Sequence, residues 1–400
     1  FGLVGSDKIS DNNDDRFAYL QFFQGGNGYS FGFNEFGSGY DGLKEGNFAN
    51  PNLTWEKARK TNIGFDATLF NGKLTIAADY FREHRYDIIT TLSDGDKMGY
   101  PDIVGKDAPF VNSGIVDNQG IDFELGWNST IGKDFRYYIK PNFTFARNKI
   151  KFMNEVDYGN EYRQKTGRRL EHFVYVVDHF VYDQAEADKL NAMNDGRGFQ
   201  PWGELHPGDV VYKDLNQDGK IDDYGDRTHM GFPRTPEIQF GIPFGIQYKG
   251  FDISVMFQGS LNSSILLSGA AVWDFPSYEQ DQYGKVKHMH LNRWTEATKD
   301  VATYPRLTYG AYENNKNGNS SLFLYNANYI RLKNLEVGYS LPKNIIRFAG
   351  LQNVRFYVQG LNLLTFDSLD DVDMDPETKE GSGDWYPIQR VYNFGVEITY

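Results

Sequence analysis

The sequence predicts an all-β protein, a transmembrane antiparallel β-barrel. Three observations predict it. Segments of nine or more residues alternate apolar and polar side chains, and the connections between them alternate short and long. Aromatic residues make up 16% of the 400 positions, although 24% are charged and the mean hydropathy is −0.58. Period-two alternation marks a strand with two unlike faces. No run approaches the roughly 18 consecutive apolar residues that a membrane-spanning helix needs.

The first clear strand, 62–70, sets Ile63, Phe65, Ala67 and Leu69 against Asn62, Gly64, Asp66 and Thr68. Asn71-Gly72 then makes a tight turn into 73–83, where Leu74, Ile76, Ala78 and Tyr80 share a face. A second pair, 119–128 and 134–147, aligns Ile121, Phe123, Leu125 and Trp127, then Tyr137, Ile139, Phe143 and Phe145. The third pair, 237–248 and 251–260, carries Phe240, Phe244 and Ile246 before Lys249-Gly250, and Phe251, Ile253, Val255 and Phe257 after it. In 328–340 the apolar phase switches between Leu332 and Leu335, which predicts a bulge near Lys333-Asn334. Residues 353–363 and 389–400 complete the series, and one or two further strands are expected in the first 35 residues.

Connections at 71–72, 129–134, 249–250 and 341–353 are short, and those at about 84–119, 148–236, 261–327 and 364–388 are long. A soluble sandwich would also alternate apolar and polar residues, so loop asymmetry decides. Outer-membrane barrels have short periplasmic turns, long extracellular loops and aromatic girdles. Tyr80, Tyr248, Phe251, Tyr339 and Tyr400 stand at strand ends as that arrangement requires. The other face holds Lys73, Asp79, Asp122, Glu124, Lys140, Asp252, Glu336 and Glu397, too many charges for a dry core. A net charge of −13 argues against a nucleic-acid surface, and the absence of cysteine removes disulfides and thiolate metal sites.

Several runs resemble the SusC/RagA group of TonB-dependent nutrient importers. They are Asn50-Pro-Asn-Leu-Thr-Trp-Glu-Lys57, Gly208-Asp-Val-Val-Tyr-Lys-Asp-Leu-Asn-Gln-Asp-Gly-Lys-Ile-Asp222, Tyr248-Lys-Gly-Phe-Asp-Ile-Ser-Val-Met-Phe-Gln-Gly259, Asn292-Arg-Trp-Thr295, Tyr304-Pro-Arg-Leu307, Asn328-Tyr-Ile-Arg-Leu-Lys-Asn-Leu335, Gly360-Leu-Asn-Leu363 and the last strand. Singly each is weak; their order is specific. The resemblance implies an integral protein of the bacterial outer membrane, with a plugged barrel of about 22 strands. It also implies energising through TonB, a SusD-like surface lipoprotein as partner, and an oligosaccharide or peptide as substrate. On this reading residues 1–400 are the C-terminal part of the barrel, without the plug domain and the first strands, and the chain starting at Phe1 is a fragment of a longer protein.

Candidate chemistry is sparse. Asp214, Asn216 and Asp218 fall at positions one, three and five of an EF-hand-type loop, with Gly219 at the turn and the Lys220 carbonyl at seven. Asp222 and Asp226 are the nearby carboxylates, because position twelve is Gly225. These oxygens suit Ca2+, while the bland reading is an acidic Asp-Gly turn. His288-Met-His290 sets two imidazoles on one side of an expected strand without a third ligand, and Asp370–Asp375 reads as a solvated acidic surface. No Gly-x-Ser-x-Gly elbow or phosphate loop is present, so neither catalysis nor a required cofactor is expected. Tyr158, Tyr162, Trp202, Trp273, Phe275, Tyr278, Tyr283 and Tyr386 in the long loops are positioned either to stack on ligands or to pack the loops. Import of an oligomeric glycan or peptide is the leading function. A receptor for a metal chelate or vitamin, and a soluble surface β-rich binding module, are the alternatives; the substrate-contacting residues are not legible.

Overall fold

A computed structural model describes every residue except 7–16, 18, 31–38, 47, 92–108, 156–158, 273–285, 310–311, 379–380, 384 and 387. In chain order its strands are β1 (Gly2–Ser6), β2 (Phe23–Ser30), β3 (Gly39–Glu45), β4 (Glu56–Leu69), β5 (Leu74–Thr91), β6 (Phe110–Ile131), β7 (Phe135–Ile139) and β8 (Asn142–Phe152). They continue with β9 (His172–Tyr175), β10 (Val177–Phe180), β11 (Val210–Tyr212), β12 (Arg227–Met230), β13 (Ile238–Tyr248) and β14 (Phe251–Leu261). The last are β15 (Ser264–Leu266), β16 (Leu324–Asn326), β17 (Tyr329–Ser340), β18 (Asn353–Asp367) and β19 (Val391–Thr399). Eleven of them form one sheet in the order β1-β4-β5-β6-β7-β13-β14-β17-β18-β19, with β8 paired to β13 and β6.

All nine expected strands are present. The turn chemistry explains the hairpins. Asn71 and Gly72 adopt positive φ, and so do Lys249 (47°) and Gly250 (91°), the left-handed pair that matches the twist of the flanking strands. The expected bulge lies at Lys333: Leu332 faces Phe257 and Asn334 faces Met256, leaving Lys333 without an opposite residue on β14. The expected strand 134–147 is two strands. Pro141 has no N–H to donate, so the run divides into β7 and β8, and Lys140 bridges the gap by donating its N–H to the Pro243 carbonyl.

Two sequence expectations need correction. The connection placed at 84–119 begins and ends in strand, because β5 runs on to Thr91 and β6 starts at Phe110. Alternation hid this where polar groups occupy both faces: Arg82 and His84 pair with Asp117, and Arg85 with Glu56. The other correction is His288-Met-His290, which lies in a single 3-10 segment, His288–Asn292. Met289 and His290 are buried there, and the His290 ring packs edge-on to Tyr304.

The chain divides into two compact units. One comprises Phe1–Ile63, Tyr80–Gly120 and Arg147–Leu170. It holds the β1–β4 and β2–β3 pairings and a run of ion pairs that includes Lys57 with Asp87 and Lys60 with Glu83. The other comprises Gly64–Asp79, Ile121–Ala146 and Glu171–Tyr400, and carries the long ladder together with both hydrophobic clusters.

Within the second unit the two faces of the ladder differ. Phe65, Leu69, Phe123, Ile246, Val337, Phe356, Val358, Val396 and Ile398 are exposed, and Phe394 is 80% exposed. None of these belongs to a buried cluster. Phe244 and Phe257, which a soluble sandwich would bury, stack on each other half-buried. The opposite face carries a charged network in which Arg355 pairs with Asp252 and with Glu336 at 2.6 Å.

Candidate functional site

The cores of this protein lie in its long connections. Residues 171–237 fold around Val181, Ala187, Leu205, Val210, Tyr212 and Ile221, with helix α1 (Gln184–Asn191) capped by Asp183, which accepts from the Glu186 N–H. A second cluster joins Ile265, Leu267, Val272, Phe323 and Leu369. Trp202 packs edge-on against Tyr175 and Tyr212, so it cements a loop. Tyr386 is exposed, and Tyr162 is half-buried. Tyr158, Trp273, Phe275, Tyr278 and Tyr283 lie outside the described residues.

A polar hub ties these connections together. The Asp209 carboxylate is fully buried and accepts from Arg306 at 2.5 and 3.1 Å, from the Tyr312 hydroxyl at 2.9 Å, from the Asn315 amide at 2.8 Å and from the His206 N–H at 2.8 Å. Burial, with the Asp209 charge behind it, pushes the Tyr312 hydroxyl up to about 12, so it remains a donor. Gly208 beside it adopts φ +87°, and a Cβ there would lie 2.5 Å from the Trp294 ring and 3.0 Å from the Arg306 Cβ. Three of the runs singled out in the sequence, at 208–222, 292–295 and 304–307, therefore meet at one point.

Another buried charge is Arg331, 1% exposed. It pairs with Asp375 at 2.6 Å and with Glu377 at 3.2 Å, and donates to the Thr365 hydroxyl. The acidic stretch ending at Asp375 is thus not all solvated surface: Leu369 and Val372 are buried, and Asp375 anchors the loop to β17. Sequence reasoning missed this pairing. The signal was an arginine between Ile330 and Leu332, hence on the polar face of its strand.

The six candidate metal residues Asp214, Asn216, Asp218, Lys220, Asp222 and Asp226 lie in one loop. Its carboxylates are turned to its own backbone. Asp214 accepts from Asp218 and Gly219, Asp218 from Lys220, Asp222 from Tyr224 and Gly225, and Asp226 from Leu215 and Asp222. The Lys220 ammonium meets Asp222 at 2.8 Å. Gly225, at position twelve, has no side chain to offer a bidentate carboxylate, and the Asn216 amide packs where its Cβ would stand. Burial, together with repulsion from Asp214 and Asp222, raises the Asp226 carboxyl above the usual carboxylate range. Among the described residues no three His, Cys, Asp or Glu side chains form a group that could hold a metal ion.

Comparison with known proteins identifies this architecture. The family described as "TonB dependent receptor-like, beta-barrel" matches residues 12–363. TonB-dependent receptor P3 of Formosa agariphila is 28% identical over 380 residues, covering 88% of this chain and 35% of that protein. TonB-dependent receptor SusC of Bacteroides thetaiotaomicron is 24% identical, covering 100% of this chain and 37% of that one. The chain thus spans little more than a third of these relatives. The RagAB peptide importer in its open-open state superposes with a TM-score of 0.68 at 21% identity, over 100% of this chain and 39% of that chain, which shows the fold. With its exposed apolar face turned to the lipid of the bacterial outer membrane, the chain belongs to the TonB-dependent receptor-like β-barrel family.

Proposed function

We propose that the protein to which this chain belongs imports an oligomeric nutrient, a glycan or a peptide, across the outer membrane. Energy comes through TonB, a SusD-like surface lipoprotein covers the barrel, and the protein catalyses no reaction. The observation that carries this reading is the split character of the ladder, apolar and exposed on one face, polar and ion-paired on the other, in a chain matched by the family from 12 to 363. The RagAB peptide importer, whose fold this chain shares, favours an oligomeric cargo over a metal chelate or vitamin. The test is uptake of labelled oligosaccharides and oligopeptides by cells with and without the gene. Uptake is expected to require the gene and the proton-motive force; uptake that survives an uncoupler would remove the TonB-driven reading.

For the Asp214–Asp226 loop the proposal is a structural Ca2+. Its support is the one-three-five oxygen spacing of Asp214, Asn216 and Asp218, with Asp222 and Asp226 close by in the same loop. Calorimetric titration of the full-length transporter with Ca2+ is expected to show binding and protection of the 148–236 connection from protease, both lost with Asp214→Ala, Asp218→Ala. Equal heats in the two proteins would leave the loop as a hydrogen-bonded turn.

A further inference from the structure

The short turns of the second unit gather at one end of its ladder. Asn128 donates its N–H to the Lys73 carbonyl at 2.8 Å, and Ser340 donates to the Gly250 carbonyl at 2.8 Å. Strand by strand the register runs from Ile131 to Phe135, Tyr248, Phe251, Tyr339 and Phe356, all on the apolar face. Rings touch along this row: the centroids of Phe135 and Tyr248 are 6.2 Å apart, and those of Phe251 and Tyr339 4.4 Å. An aromatic row of this kind marks the level at which barrel strands leave the hydrocarbon, and short turns face the periplasm.

Beyond the row the turns are basic. Lys73, Lys133, Lys249, Lys343 and Arg347 stand in them against one carboxylate, Asp134, although the chain's net charge is −13. All five cations are exposed, and among the described residues none is ion-paired. The longest of these turns, 341–353, is partly helical: Lys343–Ile346 forms an α-turn, which Arg347–Ala349 continues as 3-10. This segment packs on β18. On the apolar face of β18, Phe356 and Val358 are exposed, whereas Val354 is only 7% exposed, and Ile346 is buried with it. The segment therefore folds over the outward face of the ladder. Ile345 and Phe348, three residues apart and hence on one side of it, are exposed, Phe348 to 89%. Lys343 and Arg347, four apart, form a cationic stripe beside them.

We propose that this rim docks on anionic phospholipids of the membrane leaflet facing the periplasm, with Lys343–Ala349 as its anchor. Ile345 and Phe348 carry the lipid-facing surface past the last strand residues, and the cations lie where the phosphates of the headgroups begin. Continuity with the apolar face of the ladder selects a membrane over a soluble partner. The excess of cations selects an anionic headgroup over a zwitterionic one, because each unpaired Lys or Arg near the surface adds to the attraction.

The test uses the full-length transporter in nanodiscs of equal parts phosphatidylethanolamine and phosphatidylglycerol, with the lipids it retains counted by native mass spectrometry. Phosphatidylglycerol is expected to be enriched on the protein. Lys343→Gln, Arg347→Gln is expected to reduce the enrichment about fivefold or more, since one cation at a membrane surface is worth about a factor of five. Lys189→Gln, Arg197→Gln removes the same charge from the 171–237 connection and is expected to leave the enrichment unchanged. A spin label on Phe348→Cys, in a chain with no cysteine of its own, reads depth independently. It is expected to be accessible to oxygen and shielded from a water-soluble nickel complex. No enrichment, or the same enrichment after the 343 and 347 substitutions, overturns the proposal. So does a label open to nickel, which would leave the rim to a soluble periplasmic partner.

Discussion

Replacing Asp209 by Ala is expected to loosen the loop body by about 3 kcal/mol while the ladder stays folded. Removing one partner of a buried ion pair costs roughly 3–5 kcal/mol, because the other charge is left without compensation. The low end applies here, since the Arg306 side chain is 29% exposed and regains some hydration. Tyr312, Asn315 and the His206 N–H lose their acceptor as well. Hydrogen exchange of residues 171–237 should accelerate by about two orders of magnitude, at 1.4 kcal/mol per factor of ten. Exchange in β13, β14, β17 and β18 should not change. If loop exchange is unaltered, Asp209 does not organise the connections.

The other large effect separates the faces of β14. Val255 faces Phe244 on one side and Leu335 on the other, on the apolar face, whereas its neighbour Ser254 faces Gly245 and Glu336 on the polar face. An arginine at the lipid midplane of a barrel costs on the order of 2–4 kcal/mol, whereas one on the interior face is hydrated and here would meet Glu336. Val255→Arg should therefore lower the yield of folded barrel in membranes by an order of magnitude or more, with Ser254→Arg near wild type. Equal yields would show that the inside and outside of the ladder had been assigned wrongly.

The ladder was legible because a half-buried strand writes its two faces into alternate residues. Ile63 to Leu69 and Tyr392 to Ile398 do so without interruption, and even the slip at Lys333 shows as a change of phase. Legibility ends where that alternation ends. His84, Arg85 and Asp117 continue β5 and β6 in polar residues, so those parts of the strands read as loop. The loop body has no period at all: Val181, Leu205 and Ile221 converge from a strand end, a coil and a turn, and Asp209 finds Arg306 across 97 residues. Resemblance marked 208–222 and 304–307 as runs of interest, but only coordinates show that they bind each other. The anchoring of the connection before β19 was hidden similarly, because Arg331 and Glu377 belong to different elements.

The position of the loop roots sets an order of assembly. Phe145 lies opposite Ile238, and Ser260 opposite Tyr329, so the ladder brings together both ends of each of the two longest connections. In a free chain, closing a loop of about 100 residues costs on the order of 4 kcal/mol of chain entropy. With the hairpins already zipped, that cost has been met by local pairings, and the Asp209 hub closes between segments already tethered at their bases. The barrel wall thus acts as the nucleus and the loop body as a late passenger. A fault in a hairpin should propagate outward to the hub, whereas a fault in the hub should stop at the membrane surface.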